Sequence, residues 1–207
     1  MNRKREGMMK QEAKEDVKQK ILDGAKHLFA RKGFEGTTVR QICDEAGVAL
    51  ALVSYHFGGK ENVFYALFDS LEPGLLKETY DLTDPESDFR KFILEFVRFR
   101  MSEPELINIL QQEVMMQSPR LEKLQEVMFP VWLLLRNILQ AGKEQGQFQF
   151  ESLKHTMYVV VGTLVYSRTS SFLEPLLESI PGASTKESFE EVVAYTTQYI
   201  LNGLQRK

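Results

Sequence analysis

The chain has 207 residues, enough for one large helical domain or for a small domain joined to a larger one. Its 43% hydrophobic content is sufficient for a packed core, and its longest apolar run, 158–165, is far shorter than the ~18 residues of a membrane span. The first residues lack the apolar segment of a signal peptide, and a single Cys cannot form an internal disulfide, so a cytoplasmic protein is expected.

Charge is distributed unevenly along the chain, although the net charge is only −3. Residues 1–60 contain 12 Lys and Arg against 8 Asp and Glu, whereas residues 61–207 contain 14 against 21. A basic N-terminal segment followed by an acidic remainder is typical of a protein that meets phosphates with one end. Chance variation in a solvated surface is the alternative explanation.

The apolar pattern is helical nearly throughout. No segment shows sustained two-residue alternation, which predicts an all-α fold of about nine helices. Residues 1–15 are charged and poor in apolar side chains, and they are predicted to form a mobile arm. A first helix is expected over about 16–32, where apolar residues recur at steps of three and four and Gly33 follows as a terminator.

Two short helical patterns joined by a Gly turn follow the first helix. Thr38 and Gln41 have the T-x-x-Q form of a capping box, which predicts a helix start at Thr38. Gly47 can adopt the positive φ of a sharp helix exit, and the next helix should direct Val53 and Phe57 into the core. Two helices that cross through such a turn form a helix-turn-helix, whose second helix fits the DNA major groove.

Helical patterns continue to the C-terminus. Pro130 lies inside a predicted long helix and indicates a kink there, and residues 184–187 have the form of a second capping box that would start the last helix. The sequence therefore divides into the arm 1–15, a helix-turn-helix domain 16–70 and a larger body 71–207. The further helix starts are expected at Lys60, Pro85, Pro104, Arg120, Ser152 and Ser184.

A set of residues at fixed spacing runs through the N-terminal domain. Its members are Ile21, Leu22, Asp23, Ala25, Leu28, Phe29, Ala30, Lys32, Gly33, Phe34, Thr37, Thr38, Val39, Ile42, Ala46, Gly47, Val48, Tyr55, His56, Phe57, Lys60 and Glu61. With these residues, segment 18–68 resembles the DNA-binding head of the TetR family of bacterial transcriptional repressors. The rest of the chain resembles the family only in length and helical character. The resemblance implies a ligand-binding and dimerisation body.

Three positions depart from the family pattern. Ala49 stands where Ser or Thr often caps the recognition helix, and an absent cap costs ~1 kcal/mol. Leu50 replaces a residue that is often polar or basic. The common T-L-Y triplet before His-Phe is replaced by Leu52, Val53 and Ser54, with the aromatic residue moved to Tyr55. These departures leave the fold prediction intact and the operator sequence unpredicted.

Several side chains of this domain are candidates for contact with DNA phosphates. Lys60 stands at the first turn of the fourth helix, beside free backbone N–H groups, and this combination binds phosphate. Thr38 and Arg40 begin the second helix and can reach the opposite wall of the groove. The resemblance adds Tyr55 and His56, which match phosphate-binding positions of the family. The alternatives are that Tyr55 packs against the first helix and that His56 is a core histidine.

Three outward-facing residues of the recognition helix are the candidates for contact with DNA bases. Leu50 and Ala51 can contact a thymine methyl group, and Ser54 can hydrogen-bond several base edges. Because this set has little polarity, shape readout or contacts from the arm are expected to contribute. The basic residues of the arm would then enter a minor groove, unless they form only a solvated tail. These residues are Arg3, Lys4 and Arg5.

The resemblance implies that two C-terminal helices, about 152–172 and 186–204, pair with their copies in a homodimer. The run 158–165 is too apolar on all sides for a helix exposed to water, which agrees with this implication, although burial within one subunit is the alternative. A dimer would place two recognition helices ~34–36 Å apart on a palindromic double-stranded DNA operator. It would act as a repressor that a small-molecule inducer releases.

The resemblance further implies an inducer pocket between the central helices. Aromatic and Met side chains favour an adaptable, apolar site, although ordinary core packing is the alternative for each of them. The candidates are Phe92, Phe96, Phe99, Met115, Met116, Met128, Phe129, Trp132, His155, Tyr158 and Tyr166. Arg98, Arg100 and Arg168 are candidates for pairing with an anionic ligand, and a solvated position is their alternative.

Catalysis is not indicated. The sequence contains no G-x-S-x-G, P-loop or G-x-G-x-x-G motif, and His27, His56 and His155 are scattered, so neither a metal site nor a cofactor is predicted. Cys43 falls where close helix packing needs a small residue, with a redox-sensing role as the less favoured alternative. The rival functions are a transcriptional activator of the same fold and a helical adaptor protein that does not bind DNA.

Overall fold

The computed structural model describes residues 2–69, 74–166, 174–179 and 187–205. This part of the chain contains ten α-helices, a short 3₁₀ helix at Gly74–Leu76 and no strand, which confirms the all-α prediction. None of the helices found there is both long and apolar enough to cross a membrane. The α-helices are α1 (Asn2–Lys32), α2 (Val39–Ala46), α3 (Leu50–Phe57), α4 (Lys60–Asp69), α5 (Pro85–Ser102), α6 (Pro104–Met115), α7 (Leu121–Glu144), α8 (Leu153–Tyr166), α9 (Glu174–Glu178) and α10 (Phe189–Leu204).

Helix α1 begins much earlier than the sequence analysis predicts. It starts at Asn2, so the residues expected to form a mobile arm are instead its first turns. The physical reason is composition, because Lys, Glu, Gln, Arg and Met have high helix propensity and no helix breaker other than Gly7 interrupts them. Further along the helix, Lys20 forms an ion pair of 2.7 Å with Asp16 one turn earlier.

The helix-turn-helix has the predicted caps. The Thr38 hydroxyl accepts a hydrogen bond from the Gln41 N–H at 3.2 Å, and the Gln41 side chain accepts one from the Thr38 N–H at 2.9 Å. Gly47 closes α2 in the left-handed conformation, with φ of 65°. Ala49 precedes α3 and provides no side-chain cap, as its methyl group dictates.

The last helix begins at a different capping box from the one predicted. Helix α10 starts at Phe189, and Ser188 and Glu191 form the reciprocal box, with Ser188 N–H donating to the Glu191 carboxylate at 2.8 Å. These hydrogen bonds from Ser188 hold the pKa of Glu191 below its ordinary value. Both candidate boxes have the same sequence form, and 184–186 lie outside the described residues. Local pattern alone does not distinguish two boxes four residues apart.

The helices form two compact units, each with its own hydrophobic core. The head unit comprises Met1–Leu71 and Glu105–Val127, and the body unit comprises Glu72–Pro104 and Met128–Lys207. On the sequence pattern alone, 105–127 are predicted to belong to the body. The structure differs because α6 and the start of α7 bury Leu106, Ile109 and Leu124 in the core of the head unit.

Three aromatic rings form the centre of the head unit. Phe29 of α1 stacks on Phe34 at a centroid distance of 5.6 Å, and Phe64 of α4 meets both rings edge-on, at 5.4 and 5.3 Å. Such edge-to-face pairs contribute about 0.5–1.5 kcal/mol beyond the area they bury. The cluster fixes α4 against α1 and thereby sets the position of the helix-turn-helix between them.

Helix α6 completes the head unit by capping the end of α1. The Ala30 carbonyl belongs to the last turn of α1, where no intrahelical donor is present. Asn108 and Gln112, one turn apart on α6, both donate side-chain N–H bonds to this oxygen, at 3.0 and 2.7 Å. His27 on α1 also pairs with Glu105 at 2.9 Å.

A buried ion pair secures the turn between α6 and α7 to the same unit. Arg120 donates from Nε to the Glu113 carboxylate at 2.9 Å, and both side chains are more than nine-tenths buried. The Ser118 hydroxyl donates to the same carboxylate. The Arg120 guanidinium stacks over Phe34, 3.8 Å from the ring centroid, and reaches Glu35 at 3.3 Å. The charges are therefore compensated on several sides, as buried ions require.

The body unit is built around α5. Phe89, Phe92 and Phe96 are fully buried on one face of this helix, among apolar residues of α7, α8 and α10. Phe148 follows α7 and meets Phe89 at 5.7 Å. Gly142 makes that approach possible, since a Cβ at this position would lie only 2.1 Å from the Phe148 ring.

Candidate functional site

Helix α3 presents a continuous exposed face. Leu50 is 57% exposed and Tyr55 is 70% exposed, and Ala51 and Ser54 lie between them on the same side. Val53 is fully buried on the opposite side, which confirms the predicted orientation of the helix. An exposed apolar side chain at Leu50 has no role in the head core, so it is available for an external contact.

Tyr55 and His56 lie at the C-terminal end of this face. Their rings meet edge-on at 4.9 Å, and the Lys14 ammonium of α1 lies 5.3 Å from the centre of the Tyr55 ring. His56 is half-buried, and its Nδ1 atom has no hydrogen-bond partner among the residues that the structure describes. Tyr55 with Lys14 thus forms an exposed pair that carries a phenol hydroxyl and a cation.

Lys60 has a structural role that the sequence did not reveal. Its ammonium donates to the Phe34 carbonyl at 2.8 Å and to the Thr37 carbonyl at 2.9 Å, and it lies 4.0 Å from the centre of the Phe34 ring. An ammonium has three N–H donors, so one remains for an external anion. These partners precede Lys60 by 23 and 26 residues, so no local sequence pattern predicts the two hydrogen bonds.

Thr38, which caps α2, and Arg40, which lies on α2, are both exposed. The Thr38 hydroxyl is engaged in the capping box, whereas Arg40 forms no ion pair with any carboxylate of the described chain. Arg40 is therefore an exposed cation of the helix-turn-helix that is available to an external anion. The side chains of Arg3, Lys4 and Arg5 lie outside the described residues, although their backbone is helical.

Cys43 is buried in the head core. Only 3% of its surface is exposed, and burial, followed by the neighbouring Asp44 charge, raises the pKa of its thiol above the ordinary value. A buried thiol with a raised pKa is a poor nucleophile and a poor metal ligand at neutral pH. This environment favours the packing role over redox sensing.

The candidate ligand residues do not form one cluster. Phe92, Phe96 and Phe99 are buried in the body core, and Met128 is also buried. Met115 and Met116 belong to the head unit and are 73% and 79% exposed. The other exposed candidates are Phe129 on α7 and His155, Tyr158 and Tyr166 on α8.

The three arginines proposed to pair with an anionic ligand also do not share one environment. Arg98 forms an ion pair with Glu95 and lies over the Phe189 ring at 5.8 Å. Arg100 is buried and donates to the Leu164 carbonyl at 2.6 Å, so it stabilises the end of α8. Arg168 lies outside the described residues.

Three of the candidates meet in a groove between α7 and α8. This groove, called here the α7–α8 groove, has a volume of about 500 Å³, opens to solvent, and is almost entirely apolar. Its lining consists of Phe129, Trp132, Leu133, Arg136, Leu153, Lys154, Met157 and Tyr158. Phe129, Trp132 and Tyr158 are among the candidates predicted from the sequence, whereas the other five are not, because the register of α7 against α8 cannot be read from either helix alone.

A second apolar surface lies along α8 and α10. Tyr158, Val159 and Tyr166 are 65%, 50% and 44% exposed on α8, and Tyr195 and Tyr199 are 60% and 74% exposed on α10. Gly162 lies one turn after Tyr158 on α8, and Gly203 lies one turn after Tyr199 on α10. A Cβ at either position would meet no atom within 4 Å. We call this surface the α8–α10 face. Within the described ranges, no group of three His, Cys, Asp or Glu side chains is arranged to hold a metal ion.

The fold and the exposed α3 face define a helix-turn-helix protein with a larger helical body. Residues 21–67 match the tetR family of bacterial regulatory proteins. The transcriptional repressor NicS of Pseudomonas putida is 27% identical over 222 aligned residues that cover 100% of both chains. The repressor AcnR of Corynebacterium glutamicum is 46% identical over 50 residues, which are 24% of this chain and 27% of AcnR.

A solved structure agrees with these sequence matches. The crystal structure of HlyIIR, a hemolysin II transcriptional regulator, superposes with a TM-score of 0.73 and 28% identity, covering 94% of this chain and 99% of HlyIIR. Residues 21–67 thus match the TetR family of bacterial regulatory proteins, and the whole chain is similar to the regulators NicS and HlyIIR, in agreement with the resemblance of segment 18–68.

Proposed function

We propose that the protein is a transcriptional repressor that binds a palindromic DNA operator as a homodimer and leaves it when a small-molecule inducer binds. The observation that carries the proposal is the exposed face of α3, where Leu50, Ser54 and Tyr55 project away from the head core. The names of two relatives support repression, since NicS and AcnR are both transcriptional repressors.

The exposed face divides into two kinds of DNA contact. Leu50 and Ala51 would contact thymine methyl groups and Ser54 would hydrogen-bond a base edge, so these residues read sequence. Arg40, together with the Lys14 and Tyr55 pair, would contact phosphates, so these residues supply affinity that falls with salt. Lys60 and His56 complete the proposed phosphate set, with Lys60 using its third donor, and Thr38 supports it by starting α2.

The α8–α10 face supports the proposed homodimer. Five large apolar side chains on it are exposed in the single chain, and a surface of this kind is unfavourable in water unless a partner covers it. A symmetric pairing of two helices from each copy would bury both rows at once. The two α3 helices would then bind half-sites ~34–36 Å apart.

The release step requires only a difference in affinity. An inducer that binds the body unit more tightly in a conformation that misfits the operator shifts the population away from DNA. The α7–α8 groove is the apolar concavity that supports such a site, and it contains the predicted residues Phe129, Trp132 and Tyr158.

The test is fluorescence anisotropy of the purified protein on DNA from upstream of its own gene, with random DNA as the control, at two salt concentrations. Saturable, salt-sensitive binding that prefers the upstream DNA supports the proposal and supplies an operator. Failure to bind either DNA would direct the search to fragments selected from the whole genome. Absence of any bound fragment in that selection would refute a DNA-binding role.

Two variants separate the proposed contacts. Ser54→Ala should reduce binding to the operator more than binding to random DNA, because it removes a base contact. Arg40→Ala should weaken both equally and make the salt slope shallower by about one. Equal losses on both DNAs for Ser54→Ala would contradict the division of roles.

A further inference from the structure

Two cationic side chains flank the α7–α8 groove. Arg136 lies on α7 and Lys154 on α8, both are exposed, and both belong to the lining of the groove. Arg136 donates to the Asn137 side chain at 3.1 Å, and Lys154 lies 5.9 Å from the Tyr158 ring. In the part of the chain that the structure describes, neither of them pairs with a carboxylate, so their positive charge is uncompensated.

The rest of the groove has the opposite character. Its surface is almost entirely apolar, and three of its side chains, Phe129, Trp132 and Tyr158, are aromatic. A volume of about 500 Å³ lies within the ~300–1,000 Å³ of typical small-molecule sites. Aromatic walls favour a flat apolar body, and a polar group at the rim fixes its orientation.

We propose that the α7–α8 groove binds an aromatic carboxylate, with the ring system among Phe129, Trp132 and Met157 and the carboxylate between Arg136 and Lys154. The chemistry follows from charge complementarity, because a neutral aromatic compound leaves two cations without a partner and a cationic one repels them. The inference rests on the proposed ligand response, since it names the class of inducer for that site.

A second copy of the chain is a less suitable occupant. In a symmetric interface centred on the groove, each patch meets its own copy, so Arg136 and Lys154 would approach the same residues of the partner. Like charges brought together in this way oppose association. A small anion instead neutralises both cations within one chain.

The experiment is calorimetric titration of the full-length protein, without DNA, with 2-naphthoate and with 2-naphthamide. The two compounds share the ring system and differ in charge, so their comparison isolates the contribution of the carboxylate. We expect one 2-naphthoate per chain, bound about tenfold more tightly than the amide. Equal affinity for the two compounds, or binding of neither, would overturn the proposal.

Two variants locate the site. Arg136→Gln combined with Lys154→Gln should remove the preference for 2-naphthoate while leaving the amide affinity within about twofold. Leu133→Glu introduces a negative charge at a half-exposed position of the groove and should abolish 2-naphthoate binding. Leu176→Glu on α9 is the matched control, since Leu176 is 65% exposed and outside the groove. Retention of the preference in the double variant contradicts the proposed site.

Sedimentation and operator binding distinguish the remaining outcomes. If Leu133→Glu converts a dimer to a monomer and the unmodified protein takes up no 2-naphthoate, the groove belongs to an interface between copies and the proposal fails. If 2-naphthoate binds in the groove but leaves operator affinity unchanged, the site exists and the ligand-response function is refuted. Release of the operator by 2-naphthoate in the groove variants as well would place the responsive site elsewhere.

Discussion

The ammonium of Lys60 connects the start of α4 to the segment before α2 through two backbone carbonyls. Each acceptor is a backbone oxygen that the fold places near α4, so the side chain holds the helix-turn-helix together before any DNA is present. Hydrogen bonds from a charged donor contribute about 1.5–3 kcal/mol. A residue that the sequence indicates as a phosphate contact thus has a second function in stability.

We expect Lys60→Ala to lower the free energy of unfolding by about 1–3 kcal/mol, because two carbonyls lose their donor. The same variant should bind random DNA more weakly and with a shallower salt slope, if the third donor contacts a phosphate. Urea denaturation and anisotropy measure the two effects separately.

Arg40→Ala is the control variant for Lys60→Ala. It removes an exposed cation that no carbonyl holds, so stability should change by less than about 0.5 kcal/mol while the salt slope still becomes shallower. Unchanged stability in Lys60→Ala would contradict the structural role of the ammonium.

Elements that depend on local pattern follow the sequence closely. The capping box at Thr38 and the Gly47 exit are formed by residues within nine positions of each other, and both were predictable. The bond from Asn108 to Ala30 joins residues 78 apart, and the Arg120 contact with Glu35 joins residues 85 apart. No periodicity encodes such pairs, so the membership of 105–127 in the head unit emerges only from the folded structure.

The residues of the candidate sites also divide into those that local pattern predicts and those that depend on contacts between distant segments. Leu50 and Ser54 were predicted to face outward, and their spacing of four residues places them on the same side of α3. Arg136 and Lys154 were not predictable, since their proximity to the groove depends on how α7 lies against α8.

At the turn between α6 and α7, Arg120→Met should destabilise the protein by about 3–5 kcal/mol, because it leaves the Glu113 carboxylate buried without its partner. Adding Glu113→Gln should restore much of this loss, since the second change removes the unpaired charge. Chemical denaturation of the wild type, both single variants and the double variant completes the cycle. Purely additive losses would show that the two side chains do not act as a pair.

Helix α7 contains a position where no side chain fits. Gly142→Ala places a Cβ 2.1 Å from the Phe148 ring, so we expect a loss of about 1–3 kcal/mol despite the higher helix propensity of Ala. Thermal unfolding of the variant measures this loss. The background variant Phe148→Ala should remove the clash, and in it Gly142→Ala should be neutral or stabilising. A stabilising Gly142→Ala in the wild-type background would be inconsistent with the observed packing.

For the whole molecule, the α8–α10 face should determine the oligomeric state. Replacing both Tyr195 and Tyr199 with Glu places charges on its most exposed row, and sedimentation should then detect monomers at concentrations where the wild type is a dimer. Operator affinity should fall strongly, because a monomer occupies one half-site. Met116→Glu is the control, since Met116 is 79% exposed on the head unit. A dimer that persists in the double variant would place the interface elsewhere.

The head unit is assembled from two separate stretches of chain, and this has a consequence during synthesis. Translation at roughly 5–20 residues per second takes about 3–11 s to proceed from Leu71 to Val127, a distance of 56 residues. During that interval the segments that carry Ile109 and Leu124 are still being synthesised, so the apolar surface that receives them is not yet fully covered. The nascent helix-turn-helix therefore emerges from the ribosome with an incomplete core, and its uncovered apolar surface is of the kind that chaperones bind.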